Sequence, residues 1–141
     1  MKILVLNGPN LNLLGTRDPD IYGSTTLSDV NELLKEKFPN HHFVFYQSNV
    51  EGELIDRIHA SMKDGTEAIV ANFGGYTHTS VALRDALEPI TFPKVEVHIS
   101  NIHAREEFRE KSITGKVMNG IITGFGVSSY VLGVQAIEQL I

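Results

Sequence analysis

Two kinds of hydrophobic pattern alternate along the chain. Short apolar runs, too short for helices and rich in Val, Ile and Phe, predict buried β-strands. The runs cover residues 3–6, 43–46, 68–73, 95–99 and 120–125. Because they are largely apolar on both faces, they are typical of a parallel sheet that is covered on both sides.

Between these runs, apolar residues recur at intervals of three and four, which predicts amphipathic helices. The helical stripes cover residues 27–38, 54–62 and about 77–87, and a last one starts at Ser128 or Ser129. Thr25 or Thr26 is expected to cap the first helix. Residues 101–117 fit neither pattern and predict a polar, partly helical connection.

The alternation of strands and helices predicts an α/β fold with right-handed crossovers. Five strands of this kind favour a flavodoxin-like, doubly wound parallel sheet of order 2-1-3-4-5, in a three-layer α/β/α architecture. The sequence has no repeat, low-complexity stretch or linker. We therefore expect residues 1–141 to form a single catalytic domain.

Composition and charge narrow the possible functions. The chain has 12 Lys+Arg and 17 Asp+Glu, a formal charge of −5, which argues against nucleic acid or an anionic membrane as a partner. It contains no cysteine, so disulfides, cysteine nucleophiles and thiolate metal sites are excluded. Neither a spanning apolar run nor a signal-peptide pattern is visible, so we expect a cytoplasmic protein.

Polar motifs follow the first four predicted strands. Ligands of doubly wound sheets bind outside the carboxyl ends of the strands, so these motifs mark the expected site. The connection after the first strand, residues 7–24, is unusually long and contains several leucines, which predicts a lid over a pocket. The alternative is a loose surface excursion.

Glu96 and His98 interrupt the fourth predicted strand. Because side chains alternate along a strand, these two point to the same face and can form a carboxylate–imidazole pair. A protonated imidazole at a strand end is suited to general-acid catalysis. The alternative is an edge strand whose Val95, Val97 and Ile99 face the core while Glu96 and His98 face solvent.

A second group of polar residues follows the third strand. His78 is expected to open the third helix, with Asp85 seven residues later on the same face. Asn72 and the Gly74–Gly75 pair precede it and predict free backbone N–H groups for an anion, although the glycines could instead only shape a tight turn. No spacing predicts a metal site, and neither nucleotide-binding glycine motif is present, so we expect no cofactor.

Four long segments together resemble type II 3-dehydroquinate dehydratase. They are NGPNLNLLGTRDPDIYG (7–23), QSNVEGELIDRIH (47–59), GGYTHTSVALRDAL (74–87) and EVHISNIHAREEFREKS (96–112). The resemblance implies trans elimination of water from 3-dehydroquinate, through an enolate, to give 3-dehydroshikimate in the shikimate pathway. It implies no metal, cofactor or Schiff base. The chain departs from the family pattern at Phe73, whose bulk could alter the pocket floor, and matches only loosely over residues 113–119.

The resemblance also implies catalytic roles. Tyr22 would be the base that removes the C2 proton, and Arg17 would lower the pKa of its phenol. His98 would protonate the leaving C1 hydroxyl, oriented by Glu96. Asn10 would hold a water against the enolate oxygen.

Substrate-binding and assembly roles follow in the same way. The substrate's carboxylate and hydroxyls would be bound by Asn72, Gly74, Gly75, His78, Ile99, Ser100 and Arg109. Asp85 would act across a subunit boundary, within trimers that form a dodecamer. Two other classes stay open on the residues alone: a flavodoxin-like binding or signalling module, and a catalytically inactive scaffold.

Overall fold

A computed structural model describes residues 1–16, 20 and 23–141. Five parallel strands form one sheet of order β2-β1-β3-β4-β5, which confirms the predicted order. Their bounds are β1 Lys2–Asn7, β2 His42–Gln47, β3 Ala68–Asn72, β4 Lys94–His98 and β5 Gly120–Thr123. Each lies within two residues of the predicted run at either end.

Helices cover both faces of the sheet, as predicted. They are α1 Leu27–Lys37, α2 Glu51–Ser61, α3 Val81–Leu87 and α4 Ser128–Gln139. Along β1, Ile3 and Val5 pack with α1 and α4, whereas Leu4 and Leu6 pack with α2 and α3. This alternation produces two hydrophobic cores, one on each side of the sheet.

Two helix starts are set by side-chain caps. Thr26 accepts from the Asp29 N–H, and the Asp29 carboxylate accepts from the Thr26 N–H, which confirms the predicted cap of α1. The prediction that His78 opens the third helix is wrong. Ser80 has an extended backbone and its hydroxyl accepts from the Leu83 N–H, so α3 begins only at Val81.

The segments between the regular elements contain short 3₁₀ turns. Leu11–Leu13 follows β1, and Gly74–His78 follows β3. The predicted polar connection contains three more, Ile102–Ala104, Glu107–Arg109 and Thr114–Val117. The predicted lid includes residues 17–19, 21 and 22, which lie outside the described residues. Among the helices that the structure describes, none is long and apolar enough to cross a membrane.

Candidate active site

A cleft of about 150 Å³ lies at the carboxyl ends of the central strands. It contains nine of the predicted site residues, namely Asn10, Asn72, Gly74, Gly75, His78, His98, Ile99, Ser100 and Arg109. The remaining lining residues are Leu11 and Leu14, two of the leucines that predicted a lid, together with Pro9, Ile102 and Arg105, which sequence reasoning did not single out. Arg17 and Tyr22 lie outside the described residues. This cleft is the candidate active site.

Glu96 and His98 form the predicted carboxylate–imidazole pair. His98 Nε2 lies 2.9 Å from Glu96 Oε2. Both residues are buried, with His98 5% exposed and Glu96 0% exposed. The alternative of a solvent-facing edge strand is wrong, because β4 lies between β3 and β5 in the sheet. A carboxylate only accepts hydrogen bonds when ionised, so His98 Nε2 carries the hydrogen and Nδ1 is the nitrogen left over.

The Glu96 carboxylate is held by more than the histidine. Ser112 Oγ donates to its Oε2 at 2.6 Å, and Thr114 Oγ1 donates to its Oε1. Burial by itself would raise the pKa of Glu96, but the hydrogen bond and positive charge of His98, with the two hydroxyls, hold that pKa below its usual range. Glu96 is therefore an anion inside the protein, compensated by three donors.

A second imidazole lies beside the first. The rings of His78 and His98 are close to parallel, with centroids 6.3 Å apart and an interplanar angle of 23°. His78 Nδ1 lies 2.8 Å from the carbonyl oxygen of Lys111. Because a carbonyl cannot donate, Nδ1 carries the hydrogen, and His78 Nε2 is the nitrogen left for a ligand.

A buried phenol orients Asn72 at the floor of the cleft. Tyr130 is fully buried, donates its hydroxyl to Asn7 Oδ1, and accepts from Asn72 Nδ2 at 3.0 Å. Asn72 Oδ1 accepts from the Gly74 N–H at 3.1 Å. Burial raises the pKa of Tyr130, in spite of its hydrogen bond to Asn72, so the phenol stays neutral and donates. Asn72 is therefore oriented so that its second amide N–H, rather than its oxygen, remains for a ligand.

The loops after β1 and β3 touch each other at glycines. The Gly8 N–H donates to the Asn72 carbonyl at 2.7 Å, and a Cβ at Gly8 would lie 2.4 Å from the Phe73 carbonyl oxygen. Gly74 has a φ of 59° and faces the Pro9 carbonyl. The prediction of a free N–H at Gly74 is wrong, because Asn72 Oδ1 accepts it. Phe73 is fully buried in the core beneath the sheet and is not among the residues that line the cleft.

Two guanidinium groups line one side of the cleft. Arg109 donates from Nε to Glu106 Oε2 at 3.1 Å and lies over the Phe108 ring. Arg105 Nη1 lies 3.5 Å from Ser100 Oγ. Arg105 lies four residues before Arg109 in a polar segment, and this spacing was the feature of the sequence that could have identified Arg105 as a site residue. Two guanidinium groups beside the Asn72 amide favour an anionic, hydroxyl-bearing ligand.

Asp85 is not among the residues that line this cleft. Its side chain is 61% exposed and pairs with Arg84 at 3.1 Å on the surface of α3. Since His78 lies on the preceding 3₁₀ turn, the prediction that the two share one helix face is wrong.

Lys94 is buried at the opposite end of β4, where its Nζ donates to the Leu87 carbonyl at 2.9 Å. Among the described residues, no group of three His, Asp or Glu side chains could hold a metal ion.

A doubly wound sheet with an ion-paired imidazole in a polar cleft at its carboxyl edge defines an α/β enzyme of the flavodoxin-like class. Residues 1–138 match the family model described as dehydroquinase class II. The 3-dehydroquinate dehydratase of Cellvibrio japonicus is 53% identical over 141 residues, covering 99% of this chain and 95% of the relative. That of Hahella chejuensis is 55% identical over 137 residues, covering 96% and 93%.

The crystal structure of type II dehydroquinase from Butyrivibrio crossotus matches with a TM-score of 0.95 at 45% identity, covering 98% of this chain and 97% of that one. A 3-dehydroquinate dehydratase-like protein from Bifidobacterium longum matches with a TM-score of 0.73 at 28% identity, covering 99% and 97%. The chain therefore belongs to the class II dehydroquinase family, which confirms the resemblance carried by its four motifs.

Proposed function

We propose that this chain is a hydro-lyase that converts 3-dehydroquinate to 3-dehydroshikimate, a step of the shikimate pathway. The observation that carries the proposal is the buried Glu96–His98 pair beside a cleft suited to an anionic, hydroxyl-bearing ligand, in a chain of this family. The reaction needs one base, one acid and binding groups for a carboxylate and hydroxyls. Side chains and backbone groups of this chain are assigned to each of these roles.

The acid of the proposed reaction is His98. Glu96 holds Nε2, so an imidazolium would carry its second proton on Nδ1, the nitrogen that the pair leaves free. That proton passes to the C1 hydroxyl as the C1–O bond breaks, and water leaves. In the same step the enolate oxygen re-forms the ketone and the electron pair at C2 forms the C1=C2 bond, so the C1–O electron pair leaves with the water.

The base of the proposed reaction is Tyr22. As a phenolate it takes the C2 proton and leaves an enolate, and Arg17, five residues earlier, supplies the positive charge that favours the phenolate. Both residues lie outside the described part of the chain, so these roles rest on the family motif. Asn10 lines the cleft and is proposed to hold the water that donates to the enolate oxygen.

The remaining cleft residues are proposed to bind the substrate. The Asn72 amide offers a donor, which suits an oxygen of the substrate carboxylate, as do the Ile99–Ser100 backbone and Arg109. His78 Nε2 is positioned for a hydroxyl. Gly74 and Gly75 let the chain run close to the ligand without a side chain in between.

We also propose a homo-oligomer, a dodecamer built from four trimers, in which Asp85 contacts the site of a neighbouring subunit. Its support is the exposed position of Asp85 outside the cleft of its own chain. Light scattering of the purified protein checks the assembly, and a monomer would contradict it. The cytoplasmic location also stays a prediction from the sequence.

The direct test is turnover of 3-dehydroquinate, followed by the absorbance of the conjugated enone product. Tyr22→Phe should lose about three decades or more of kcat and still bind substrate, because general-base catalysis and charge development are lost together. Tyr46→Phe, a half-buried phenol on β2 away from the cleft lining, is the matched control and should keep full turnover. Absence of enone formation by the wild-type chain would refute the function and favour an inactive scaffold.

A further inference from the structure

The short segment of residues 111–115 supports both imidazoles of the cleft. The Lys111 carbonyl accepts from His78 Nδ1 at 2.8 Å. Three residues further on, Thr114 reaches the carboxylate of Glu96, which holds His98. Thr114 belongs to residues 113–119, which match the family only loosely and follow the last family motif, residues 96–112. The motifs therefore assign no role to Thr114.

The segment is itself firmly held. The Ile113 N–H donates to the Thr77 carbonyl at 2.8 Å, and the Gly115 N–H donates to Ser112 Oγ at 2.8 Å. A Cβ at Gly115 would lie 2.7 Å from Ser112 Oγ and 2.3 Å from Ile121 Cδ1. Glycine therefore lets the turn close tightly enough for the Ser112 hydroxyl to reach the carboxylate.

The two carboxylate oxygens of Glu96 have different partners. His98 Nε2 and Ser112 Oγ share Oε2, whereas Thr114 Oγ1 donates to Oε1. A carboxylate rotates about its Cγ–Cδ bond, which moves both oxygens, so donors on both oxygens restrain that rotation more tightly than donors on one alone. Thr114 is fully buried, so water is a poor substitute for its hydroxyl.

We propose that Thr114 is a positioning residue for the general acid: its hydroxyl fixes the plane of the Glu96 carboxylate, which in turn fixes the ring of His98. Ser112 assists at the other oxygen. The inference rests on the dehydration proposed above and adds residues that act without touching the substrate. Neither hydroxyl belongs to the residues that line the cleft.

The test compares Thr114→Val, which removes the hydroxyl at nearly constant volume, with Thr114→Ser, which keeps it. Thr114→Val should lower kcat about tenfold with KM within about twofold of wild type, because one buried hydrogen bond to a charge is lost while the binding groups stay in place. Thr114→Ser should recover most of kcat. Ser112→Ala should also lower kcat, and this variant replaces Thr114→Val in the test if Thr114→Val does not fold.

Thr66→Val is the matched control. Thr66 Oγ1 also donates to a carboxylate, that of Asp64, at 2.6 Å, but at the amino end of the sheet. It should leave kcat and KM unchanged. Added to Glu96→Gln, Thr114→Val should cause little further loss of kcat, because both changes act through the same carboxylate charge.

A direct readout is the ¹⁵N NMR signature of the His98 ring. In its neutral form the wild-type ring should show a single Nε2–H tautomer, and neutral His98 in Thr114→Val should show a mixture, while Thr66→Val stays like wild type. Wild-type kcat or an unchanged His98 spectrum in Thr114→Val would overturn the inference. The NMR comparison needs no turnover, so it decides the role of Thr114 even if the wild-type chain fails to dehydrate 3-dehydroquinate.

Discussion

Replacing Glu96 by Gln isolates the contribution of its charge. The side chain keeps its size, and one consistent hydrogen-bond arrangement remains. The Gln oxygen can take the place of Oε2 and accept from His98 and Ser112, while its amide can donate to the Thr114 hydroxyl after that hydroxyl rotates. We therefore expect the variant to fold, with a neutral partner for His98.

The magnitude follows from the hydrogen bond between the pair. A bond to a charged group contributes about 1.5–3 kcal/mol and a neutral one about 1, so the imidazolium loses about 0.5–2 kcal/mol of stabilisation. At about 1.4 kcal/mol per factor of ten, kcat should fall roughly 2- to 30-fold.

The assay is the kcat of enone formation, measured for wild type and Glu96→Gln, with Glu67→Gln as a control at the amino edge of the sheet. Stability gives an independent check. The pKa of Glu96 in the folded chain is below its usual value of 4.5, so its ionised form stabilises the fold above that pH and the contribution is lost as pH falls through the folded pKa. Glu96→Gln should lack this acid-side component in urea titrations. A wild-type kcat and an unchanged acid-side loss of stability in Glu96→Gln would refute the reasoning.

Two further predictions concern the floor of the cleft. Tyr130→Phe leaves Asn7 Oδ1 and Asn72 Nδ2 without their buried partner. It should therefore reduce the free energy of unfolding by about 1–3 kcal/mol and raise KM. An unchanged urea midpoint and KM would contradict the orienting role. Gly8→Ala places a Cβ 2.4 Å from the Phe73 carbonyl oxygen and should cost about 1–3 kcal/mol by forcing the two loops apart. Gly52→Ala, whose Cβ would meet nothing within 4 Å at the start of α2, is its control and should be neutral or slightly stabilising.

Local pattern was sufficient for most of the architecture. Strand and helix positions, the parallel order of the sheet and the Thr26 cap all depend on periodicity and on residues close in sequence. The shared face of Glu96 and His98 follows from the two-residue repeat of a strand. The quoted motifs likewise located eight residues that the structure brings to one cleft, and the position of Asn72 at the end of the third strand located a ninth.

Tertiary structure alone decided what surrounds those residues. The hydroxyls on Glu96 come from 16 and 18 residues away, and the phenol that orients the Asn7 side chain from 123 residues away. Such contacts join distant segments, and the hydrophobic periodicity of either segment does not predict that the two come into contact. The start of α3 at Val81 is a local effect that helical spacing did not predict, because the extended backbone and hydroxyl cap of Ser80 end the pattern there. Periodicity reports which face of an element is buried, whereas the partner of a buried polar group depends on how distant segments pack in three dimensions.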